Sequence, residues 1–361
     1  MDFFLISNMY PTAQYPGYGS FVKNISDELD KSGIHVACDA LIVGKASGKF
    51  EKIKKYFGFY FSIIRNYLKH YDFIYIHFPN QAVPVLLPLL NLKKKKLVVN
   101  FHGEDLLYAN TKYGRFLGHL MEKMCRKHAT AIIVPSNYYK NILEERSLID
   151  TKRIIVSSSG GINPNIFYPP VSKEFSNKML HLGYVGRMEE DKGIIEFLYA
   201  CNVLNDKGHN FKATAIGYGT KYEWAKSYIE EQNLSHIVTL ISGVAQEKLG
   251  DFYRSFDLLI FSSSRSSESL GLTGIESMAC GTPVIGSTVG GISSYLKDGW
   301  NGWLTPIHDV NSIVDKICHY ESLSNKEKMI LSNNCINTGK KYYSETVGTK
   351  LASELSSLLS E

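Results

Sequence analysis

The stretch Ser266-Ser-Glu-Ser-Leu-Gly-Leu-Thr-Gly-Ile-Glu-Ser-Met-Ala-Cys-Gly281 lies between two apolar runs, residues 258–261 and 283–285. Each run has the β-branched and aromatic composition of a buried strand. The stretch between them predicts a loop of small residues followed by a helix that begins near Thr273. Strand, loop, helix and strand in this order form the βαβ unit of a parallel sheet.

The start of this predicted helix has the features of an anion site. Gly271 and Gly274 let backbone approach a ligand closely. The amides of Leu272 and Thr273 have no partner inside the helix and point out of its N-terminus. This part of the chain therefore suits a phosphate group held by backbone.

Two acids bracket the turn, Glu268 before the helix and Glu276 on its first turn. Carboxylates repel a phosphate, but they accept hydrogen bonds from hydroxyl-rich groups on either side of it, such as a sugar and a ribose. The alternative is a crossover helix whose acids only cap its N-terminus.

The two acids also carry a family resemblance. A Glu, seven residues, a second Glu and then Met278-Ala-Cys-Gly-Thr-Pro-Val284 resemble the signature of the retaining family 4 glycosyltransferases of the GT-B fold. The resemblance implies that Glu268 faces the donor sugar, that Glu276 holds the ribose and that the intervening amides hold the diphosphate. The family usually has Gly after the first Glu, whereas this chain has Ser269, which affects loop shape more than chemistry.

A second motif, Gly183-Tyr-Val-Gly-Arg-Met-Glu-Glu-Asp-Lys-Gly193, follows another predicted strand. Arg187 and Lys192 flank the start of a helix, and they resemble the Gly-Arg…Lys-Gly element of the family. Two cations there would clamp a diphosphate and neutralise the charge that grows on it during transfer. The alternative is an exposed Arg beside a helix-start Lys, although cations are unfavourable at a helix N-terminus.

Two further loops resemble the nucleotide site of the family. Gly217 belongs to a glycine turn after a strand, in Ile216-Gly-Tyr-Gly219. Gly243 and Val244 lie in the loop that resembles the base-contacting segment, where backbone groups would contact uracil or guanine. Because backbone contacts carry little sequence information, the base stays open.

In the first half of the chain, Gly17 and Gly19 join the first strand to the first helix, and Ser20 is a suitable N-cap for it. The glycines would let main chain meet the donor phosphates; the alternative is a flexible loop. His102 follows a strand-like run and precedes Gly103 and two acids. The family carries a His at this point, near the transferred sugar. Glu104 and Asp105 would either orient it, meet the acceptor or cap a helix.

Strand-like runs alternate with helical patterns along the whole chain, which predicts parallel sheets covered on both faces. The class is α/β, and the resemblance implies the GT-B fold, with two doubly wound Rossmann-like domains that face a central cleft. The predicted domains are residues 1–165 on the acceptor side and 166–339 for the nucleotide sugar, with the helical segment 340–361 packing back on the first. The predicted strands are 3–6, 34–41, 73–77, 97–101, 131–134, 153–156, 180–185, 211–216, 237–241, 258–261 and 283–285.

Composition excludes several other classes of protein, such as disordered, secreted and membrane-spanning chains. The chain has 361 residues, 44% hydrophobic and 21% charged, which is ordinary for a globular protein. Six scattered cysteines without a Cys-x-x-Cys pair predict reduced thiols in a cytoplasmic protein. The apolar N-terminus lacks a basic flank and predicts a first strand, not a signal peptide. No run approaches the roughly 20 apolar residues of a membrane span.

The net charge of +5 is unevenly distributed. Residues 1–165 hold 22 Lys+Arg against 13 Asp+Glu (+9), and the remainder holds 18 against 22 (−4). Residues 49–71 are basic and aromatic with a single acid, and Lys93–Lys96 form a second basic run. This pattern predicts either a crossover helix that packs on the sheet or a helix in contact with an anionic membrane, and one helix can do both.

The predicted function is retaining transfer of a hexosyl unit from a nucleoside-diphosphate sugar, UDP favoured over GDP, to a glycan or lipid-linked saccharide in surface polysaccharide biosynthesis. No Asp-x-Asp occurs, so no metal or other cofactor is expected. The predicted location is the cytoplasm or the inner face of the plasma membrane, and no nucleic-acid partner is expected. The alternatives are a GT-B sugar-nucleotide epimerase and a nucleotide-sugar-binding protein without turnover.

Overall fold

The computed structural model describes residues 1–15, 17–107, 111–171 and 179–360. Two compact units divide the chain: residues 1–161 with 344–361, and residues 162–343. Each unit is a six-stranded parallel sheet with helices between its strands.

The strands are β1 Asp2–Tyr10, β2 His35–Val43, β3 Phe73–His77, β4 Lys96–Asn100, β5 Ala129–Val134, β6 Ile154–Val156, β7 Leu180–Val185, β8 Phe211–Ile216, β9 Val238–Ile241, β10 Leu258–Phe261, β11 Val284–Ser287 and β12 Gly302–Thr305. The helices are α1 Ser20–Lys31, α2 Lys49–Tyr67, α3 Val83–Leu92, α4 Glu104–Leu107, α5 Lys112–His128, α6 Asn137–Arg146, α7 Ile194–Asp206, α8 Tyr222–Glu231, α9 Gln246–Ser255, α10 Leu272–Ala279, α11 Val310–Ser322, α12 Asn325–Gly339 and α13 Ser344–Ser360.

The first sheet has the order β2-β1-β3-β4-β5-β6. Its central strands are buried on both faces because helices cover both sides, which is why they form continuous apolar runs. Helix α1 buries Val22, Ile25 and Leu29 at helical spacing against one face. The order reverses between β1 and β3, and the loops after these strands diverge there.

The last helix belongs to the first unit. Leu351, Leu355 and Leu359 of α13 pack with Val22 and Leu29 of α1 in one apolar cluster. Gly348 lies so close to α1 that an added Cβ would approach the Glu28 Cβ within 2.5 Å. The units divide after Gly161 and after Tyr343, whereas the sequence places its boundaries after residues 165 and 339.

The second sheet has the order β12-β11-β10-β7-β8-β9, and its order reverses between β7 and β10. The edge strand β12 is absent from the sequence prediction. It begins with Gly302, ends with Thr305 and follows the turn-forming run Asp298-Gly-Trp-Asn, so only Trp303 and Leu304 are apolar and the segment lacks a continuous apolar run. The fold class predicted from sequence, two doubly wound Rossmann-like units, is confirmed.

None of the six cysteines, all of which lie in the described ranges, forms a disulfide, and five of them are buried. No helix in the described part of the chain combines the length and apolarity needed to span a bilayer.

Candidate functional site

The second unit gathers its predicted site residues at the switch point of its sheet. The loop after β7 carries Arg187 and Lys192, and the loop after β10 carries Glu268. In an open parallel sheet, ligands bind beyond the carboxyl ends of the two strands at which the order reverses. The topology therefore places these three predicted residues where a ligand is expected.

Lys192 and Glu268 form the central contact of this region. Their ammonium and carboxylate lie 2.6 Å apart, and their side chains are only 14% and 11% exposed. The Ser263 hydroxyl donates to the same carboxylate oxygen at 3.1 Å. The two groups therefore form a largely desolvated ion pair, in which the attraction between the charges offsets the desolvation penalty of each.

The two loops are joined by a second ion pair. The Arg265 guanidinium lies 2.6 Å from the Asp191 carboxylate, and this contact contributes to holding the pKa of Asp191 below its usual range, although burial opposes it. Arg187 differs from these residues because its side chain is exposed and forms no hydrogen bond or salt bridge within the described residues. An exposed guanidinium in the loop that also carries Lys192 is available to an anionic ligand.

Glycines fix the backbone on both sides of the ion pair. Gly193 has φ +86°, and an added Cβ would lie 2.5 Å from the Ser262 hydroxyl, whose oxygen donates to the Gly193 carbonyl. Gly290 has φ +58°, and its Cβ would lie 2.4 Å from the Glu268 carbonyl. The amide of Gly291 donates to that carbonyl at 2.9 Å. The Gly290-Gly291 turn therefore sets the position of Glu268, a role that the sequence prediction missed.

Helix α10 begins at Leu272, one residue before its predicted start, and Gly271 caps it in the left-handed region. A Cβ on Gly271 would lie 2.5 Å from the Phe261 ring, and one on Gly274 would lie 2.2 Å from the Tyr295 hydroxyl. That hydroxyl donates to the Gly271 carbonyl at 3.1 Å. Leu272 and Thr273, whose amides open the helix, are partly exposed, as an anion site requires.

Glu276 lies on the second turn of the same helix, one turn later than the sequence predicted, because the helix begins at Leu272 and its first turn contains no acid. The buried Tyr253 hydroxyl donates to its carboxylate at 2.9 Å. Burial raises the pKa of Glu276 to about 7, and the Tyr253 hydrogen bond opposes that shift. The pKa of Tyr295 is raised well above its usual value, chiefly by burial and then by the charge of Glu268, with a contribution from Glu276. Both carboxylates therefore act on the same hydroxyl beside the helix N-terminus.

The loops after β8 and β9 contain the remaining donor-site predictions of this unit. Gly217 has φ +151°, and an added Cβ would lie 1.8 Å from the Gly186 carbonyl oxygen. Close packing of two loops therefore requires this glycine even without a nucleotide. Gly243 is exposed with open space around it, and Val244 is partly exposed. The exposed ring of Tyr218 is the nearest group to a Cβ built on Gly243, at 3.8 Å.

In the first unit, Gly17 and Gly19 precede α1. Gly17 is exposed with no atom near its hypothetical Cβ, whereas Gly19 has φ +75° and would bring a Cβ within 2.7 Å of the Met9 carbonyl. Gly19 is the N-cap residue, and Ser20, which the sequence suggested for that position, is the first residue of the helix. Backbone geometry therefore explains Gly19 fully, whereas no close contact requires a glycine at position 17.

His102 follows β4 and lies among aromatic rings. The centroids of Phe21, Phe78 and His77 lie 4.5, 4.6 and 5.2 Å from its own. Burial in these surroundings lowers the pKa of His102 to about 3, so the imidazole is neutral at any physiological pH. Phe78 adopts φ +51°, a costly conformation for an aromatic residue, and such outliers cluster at ligand sites.

His77, which ends β3, is a site residue that sequence reasoning missed. Its Nδ1 lies 2.9 Å from Nε2 of His102. Burial, and then the neighbouring His102, lowers the pKa of His77 well below its usual value. With both rings neutral, one nitrogen of the pair donates and the other accepts, so the contact couples the tautomers of the two rings.

Asp105 has a structural role. Its carboxylate accepts the amides of His102 and Gly103, both at 2.9 Å, and thereby closes the turn that begins α4. Burial raises the pKa of Asp105 to about 7, although the backbone donors oppose that shift. Of the roles considered for the acids after His102, capping fits Asp105, and this cap orients the backbone of His102. The neighbouring Glu104 is exposed.

The described residues contain one group of three potential metal ligands, His209, Cys318 and Glu321. The two ring nitrogens of His209 already contact Glu321 at 2.9 Å and Cys318 at 3.7 Å. Both ring nitrogens of His209 are thus engaged within the group, and none of its members is a predicted site residue.

Two Rossmann-like units, each with a six-stranded parallel sheet, define a two-domain α/β protein of the GT-B class. Residues 17–160 match the family described as Glycosyltransferase Family 4, and residues 171–342 match Glycosyl transferases group 1. The chain therefore belongs to the family 4 glycosyltransferases, as the sequence motifs predicted.

Two curated relatives indicate the breadth of the family. An uncharacterized glycosyltransferase of Methanocaldococcus jannaschii is 30% identical over 263 residues, 71% of this chain and 66% of the relative. The capsular polysaccharide biosynthesis glycosyltransferase CapM of Staphylococcus aureus is 30% identical over 261 residues, 68% and 66% of the two chains. The matched part of the chain thus spans just under two thirds of each relative.

Among solved structures, HepE of Anabaena in complex with UDP superimposes with a TM-score of 0.76. It is 16% identical and covers 99% of this chain and 100% of its own. A further HepE structure contains UDP-glucose. At this identity the likeness establishes the shared fold.

Proposed function

We propose that the protein is a retaining glycosyltransferase that moves a hexosyl unit from a nucleoside-diphosphate sugar to a saccharide hydroxyl. The observation that carries this proposal is the Lys192–Glu268 pair at the switch point of the second unit, 2.6 Å apart and mostly buried. A cation suits the leaving diphosphate, and a carboxylate suits the hydroxyls of the sugar. The free guanidinium of Arg187 and the amides of Leu272 and Thr273 supply further anion-binding groups.

In this reaction the bond between the anomeric carbon and the diphosphate oxygen breaks, and a bond from that carbon to the acceptor oxygen forms on the same face. The acceptor proton passes to the leaving diphosphate, so no protein base is needed. Glu268 is the sole candidate by position for a nucleophile in the alternative double displacement. Its carboxylate oxygen is already engaged by Lys192 and Ser263, and this engagement favours a sugar-binding role.

Each of the remaining site residues has a proposed role in binding the donor. Glu276 accepts the ribose hydroxyls, Gly217, Gly243 and Val244 border the nucleotide, and Gly17 and Gly19 offer backbone to the phosphates. His102 acts as a neutral hydrogen-bond partner of the transferred sugar, consistent with its lowered pKa. Cationic side chains and helix amides carry the role that a metal would have, and the chain has no Asp-x-Asp pair, so the reaction is proposed to need no metal or other cofactor.

UDP is the favoured nucleotide because HepE, which shares the fold, binds UDP and UDP-glucose. The proposed acceptor is a glycan or lipid-linked saccharide of a surface polysaccharide, in keeping with the name of the CapM relative. The proposed location is the cytoplasm and the inner face of the plasma membrane.

Incubation with a panel of labelled UDP- and GDP-sugars tests the proposal, with free sugar, transferred sugar and epimerised donor measured separately. A glycosyltransferase releases nucleoside diphosphate from one or a few donors, faster when acceptor is present. Epimerised nucleotide sugar or free epimerised hexose would instead identify the epimerase. Saturable binding of a donor that stays intact with all acceptors, including lipid-linked saccharides, would identify the binding protein.

A further inference from the structure

Helix α2 exposes large apolar side chains along one side. The side chains recur three and four residues apart, so they occupy one stripe about 80° wide at 3.6 residues per turn. We call this the α2 stripe. Its members, with exposed fractions, are Phe50 (84%), Ile53 (68%), Phe57 (75%), Phe61 (58%), Ile64 (52%) and Leu68 (73%).

The opposite side of α2 is firmly packed. Phe59, Ile63 and Tyr67 are buried in the core beside the sheet. The Asn66 amide donates to the Asp39 carbonyl of β2 at 2.8 Å. The rotation of the helix is therefore fixed by its buried face, and the stripe is turned outward by the fold. Both sequence interpretations of residues 49–71 can hold together, because one face packs on the sheet and the other lies open.

Cations border the stripe. Lys54 and Arg65 are exposed and lie directly beside it on the helical wheel, and the exposed Lys49 lies near its other edge at the start of the helix. The sole acid of residues 49–71 is Glu51, whose carboxylate is occupied by the Ser47 amide and hydroxyl at 2.7 and 2.6 Å. The surface is consequently apolar along its centre and positive at its border.

One lysine of this segment does not belong to the surface. The Lys55 ammonium donates to the carbonyls of Val43 at 2.8 Å and Gly44 at 3.2 Å and lies 3.2 Å from Glu51. These contacts hold the loop before the helix. Lys55 is therefore a structural residue and a poor site for testing surface charge.

The second basic run lies against the end of α2, a proximity that the sequence did not reveal. The Lys95 ammonium sits over the Tyr71 ring, 4.2 Å from its centroid, and donates to the Lys69 carbonyl at 3.4 Å. The Tyr67 hydroxyl donates to the Lys93 carbonyl. Leu92, beside this run, is 85% exposed. The apolar and cationic surface thus continues from α2 onto the end of α3.

We propose that the α2 stripe inserts into the interface of an anionic lipid bilayer, with the surrounding cations on the headgroups. Apolar area favours burial in the acyl boundary, and each nearby basic residue adds attraction to anionic lipid. A second copy of this chain fits less well. Stripe-to-stripe pairing would bring like cations such as Lys54 and Arg65 together without acids to offset them.

Sedimentation with vesicles tests the surface. Wild-type protein should sediment with vesicles of equal phosphatidylglycerol and phosphatidylcholine at low salt, and much less with phosphatidylcholine alone. Phe57→Ser with Phe61→Ser should reduce the partition coefficient at least tenfold, because two large apolar side chains no longer enter the interface. Both side chains are exposed, so the melting temperature should stay close to that of wild type.

The matched control is Met329→Ser with Ile330→Ser, which removes two apolar side chains of 53% and 52% exposure from α12. This variant should sediment as wild type does. Lys54→Glu with Arg65→Glu should also weaken binding about tenfold or more, and raised salt should reproduce that loss in the wild type. Vesicle sedimentation does not depend on catalysis. Its result therefore tests the membrane surface separately from the proposed transferase activity, which the panel of sugar nucleotides tests.

Three results would overturn the proposal. The first is a wild-type chain that stays in solution with anionic vesicles at low salt. The second is a serine variant of the stripe that binds as tightly as wild type. The third is a wild-type dimer in light scattering that the stripe variant converts to monomer with no loss of vesicle binding, which would assign the surface to self-association.

Discussion

The site of the second unit is charged, whereas the His102 region of the first is neutral and aromatic. In the second unit Lys192 and Glu268 form a salt bridge of 2.6 Å, and their side chains are only 14% and 11% exposed. In the first unit His102 lies among Phe21, Phe78 and His77, where burial keeps the imidazole uncharged. One region can therefore stabilise charge that develops on a phosphate, and the other can offer a directional hydrogen bond without adding charge.

This difference predicts different kinetic signatures. A cation that stabilises the negative charge developing on the leaving diphosphate acts mainly in the transition state. Its loss therefore reduces turnover more than it reduces nucleotide affinity. A neutral hydrogen-bond partner of the sugar affects turnover too, but it leaves affinity for a nucleotide without sugar unchanged.

The largest effect is expected for Lys192→Ala. Turnover at saturating donor should fall about 1,000-fold, because the leaving diphosphate loses a fixed cation. Affinity for UDP, measured by calorimetry, should fall far less. The control is Lys221→Ala, which removes a lysine of the adjoining loop that pairs at 3.4 Å with the exposed Glu190 and should change turnover little. A Lys192→Ala rate within threefold of wild type would exclude the catalytic role.

His102→Ala should reduce turnover about 100-fold, the loss typical of one well-placed hydrogen-bond partner. Calorimetric affinity for UDP should stay within a factor of two, because the contact proposed for His102 is with the sugar. A large loss of affinity for the free nucleotide in a folded variant would contradict the proposed placement of His102.

The sequence predicted most of the strands, because each strand depends on a local apolar pattern. Strands β3, β7, β8 and β10 have the predicted bounds. The contact between Lys192 and Glu268 joins loops 76 residues apart, so only topology could bring them together. The strand order placed both loops at the β7–β10 switch point, which the sequence could not specify.

Some site features had no recognisable local signal. His77 stands within the apolar run Phe73–His77, where a histidine usually indicates a satisfied core residue. Its importance depends on the neighbouring strand, which places His102 beside it. Gly290-Gly291 was detectable as a glycine pair after a strand, but its contact with the Glu268 carbonyl is tertiary. The charge state of Glu276 also depends on tertiary structure and not on local sequence, because burial raises its pKa.

The contact between the two histidines predicts a smaller effect at His77, which acts as a positioning residue. His77→Leu should lower turnover about tenfold with little change in KM, because His102 loses the partner that sets its tautomer. His77→Asn should recover most of the rate, since the asparagine amide can occupy the place of Nδ1. Equal losses in both variants would indicate a packing role alone.

The smallest effect concerns the pKa of Glu276, and its sign follows from linkage. The folded-state pKa is about 7 against an ordinary value of 4.5, so the folded protein holds this proton more tightly than the unfolded chain. The resulting stabilisation is complete below pH 4.5 and is lost as the pH rises through 7.

Glu276→Gln removes the buried charge and should raise the melting temperature by about 2–4 °C at pH 8, with little change at pH 4.5. The same variant should bind UDP more weakly at pH 8, where the wild-type carboxylate accepts the ribose hydroxyls. The control is the exposed Glu231, whose substitution by Gln should change neither property. A Glu276→Gln protein whose stability gain is the same at both pH values would mean that Glu276 does not titrate near 7, and with it the charged state assigned to the ribose contact would fail.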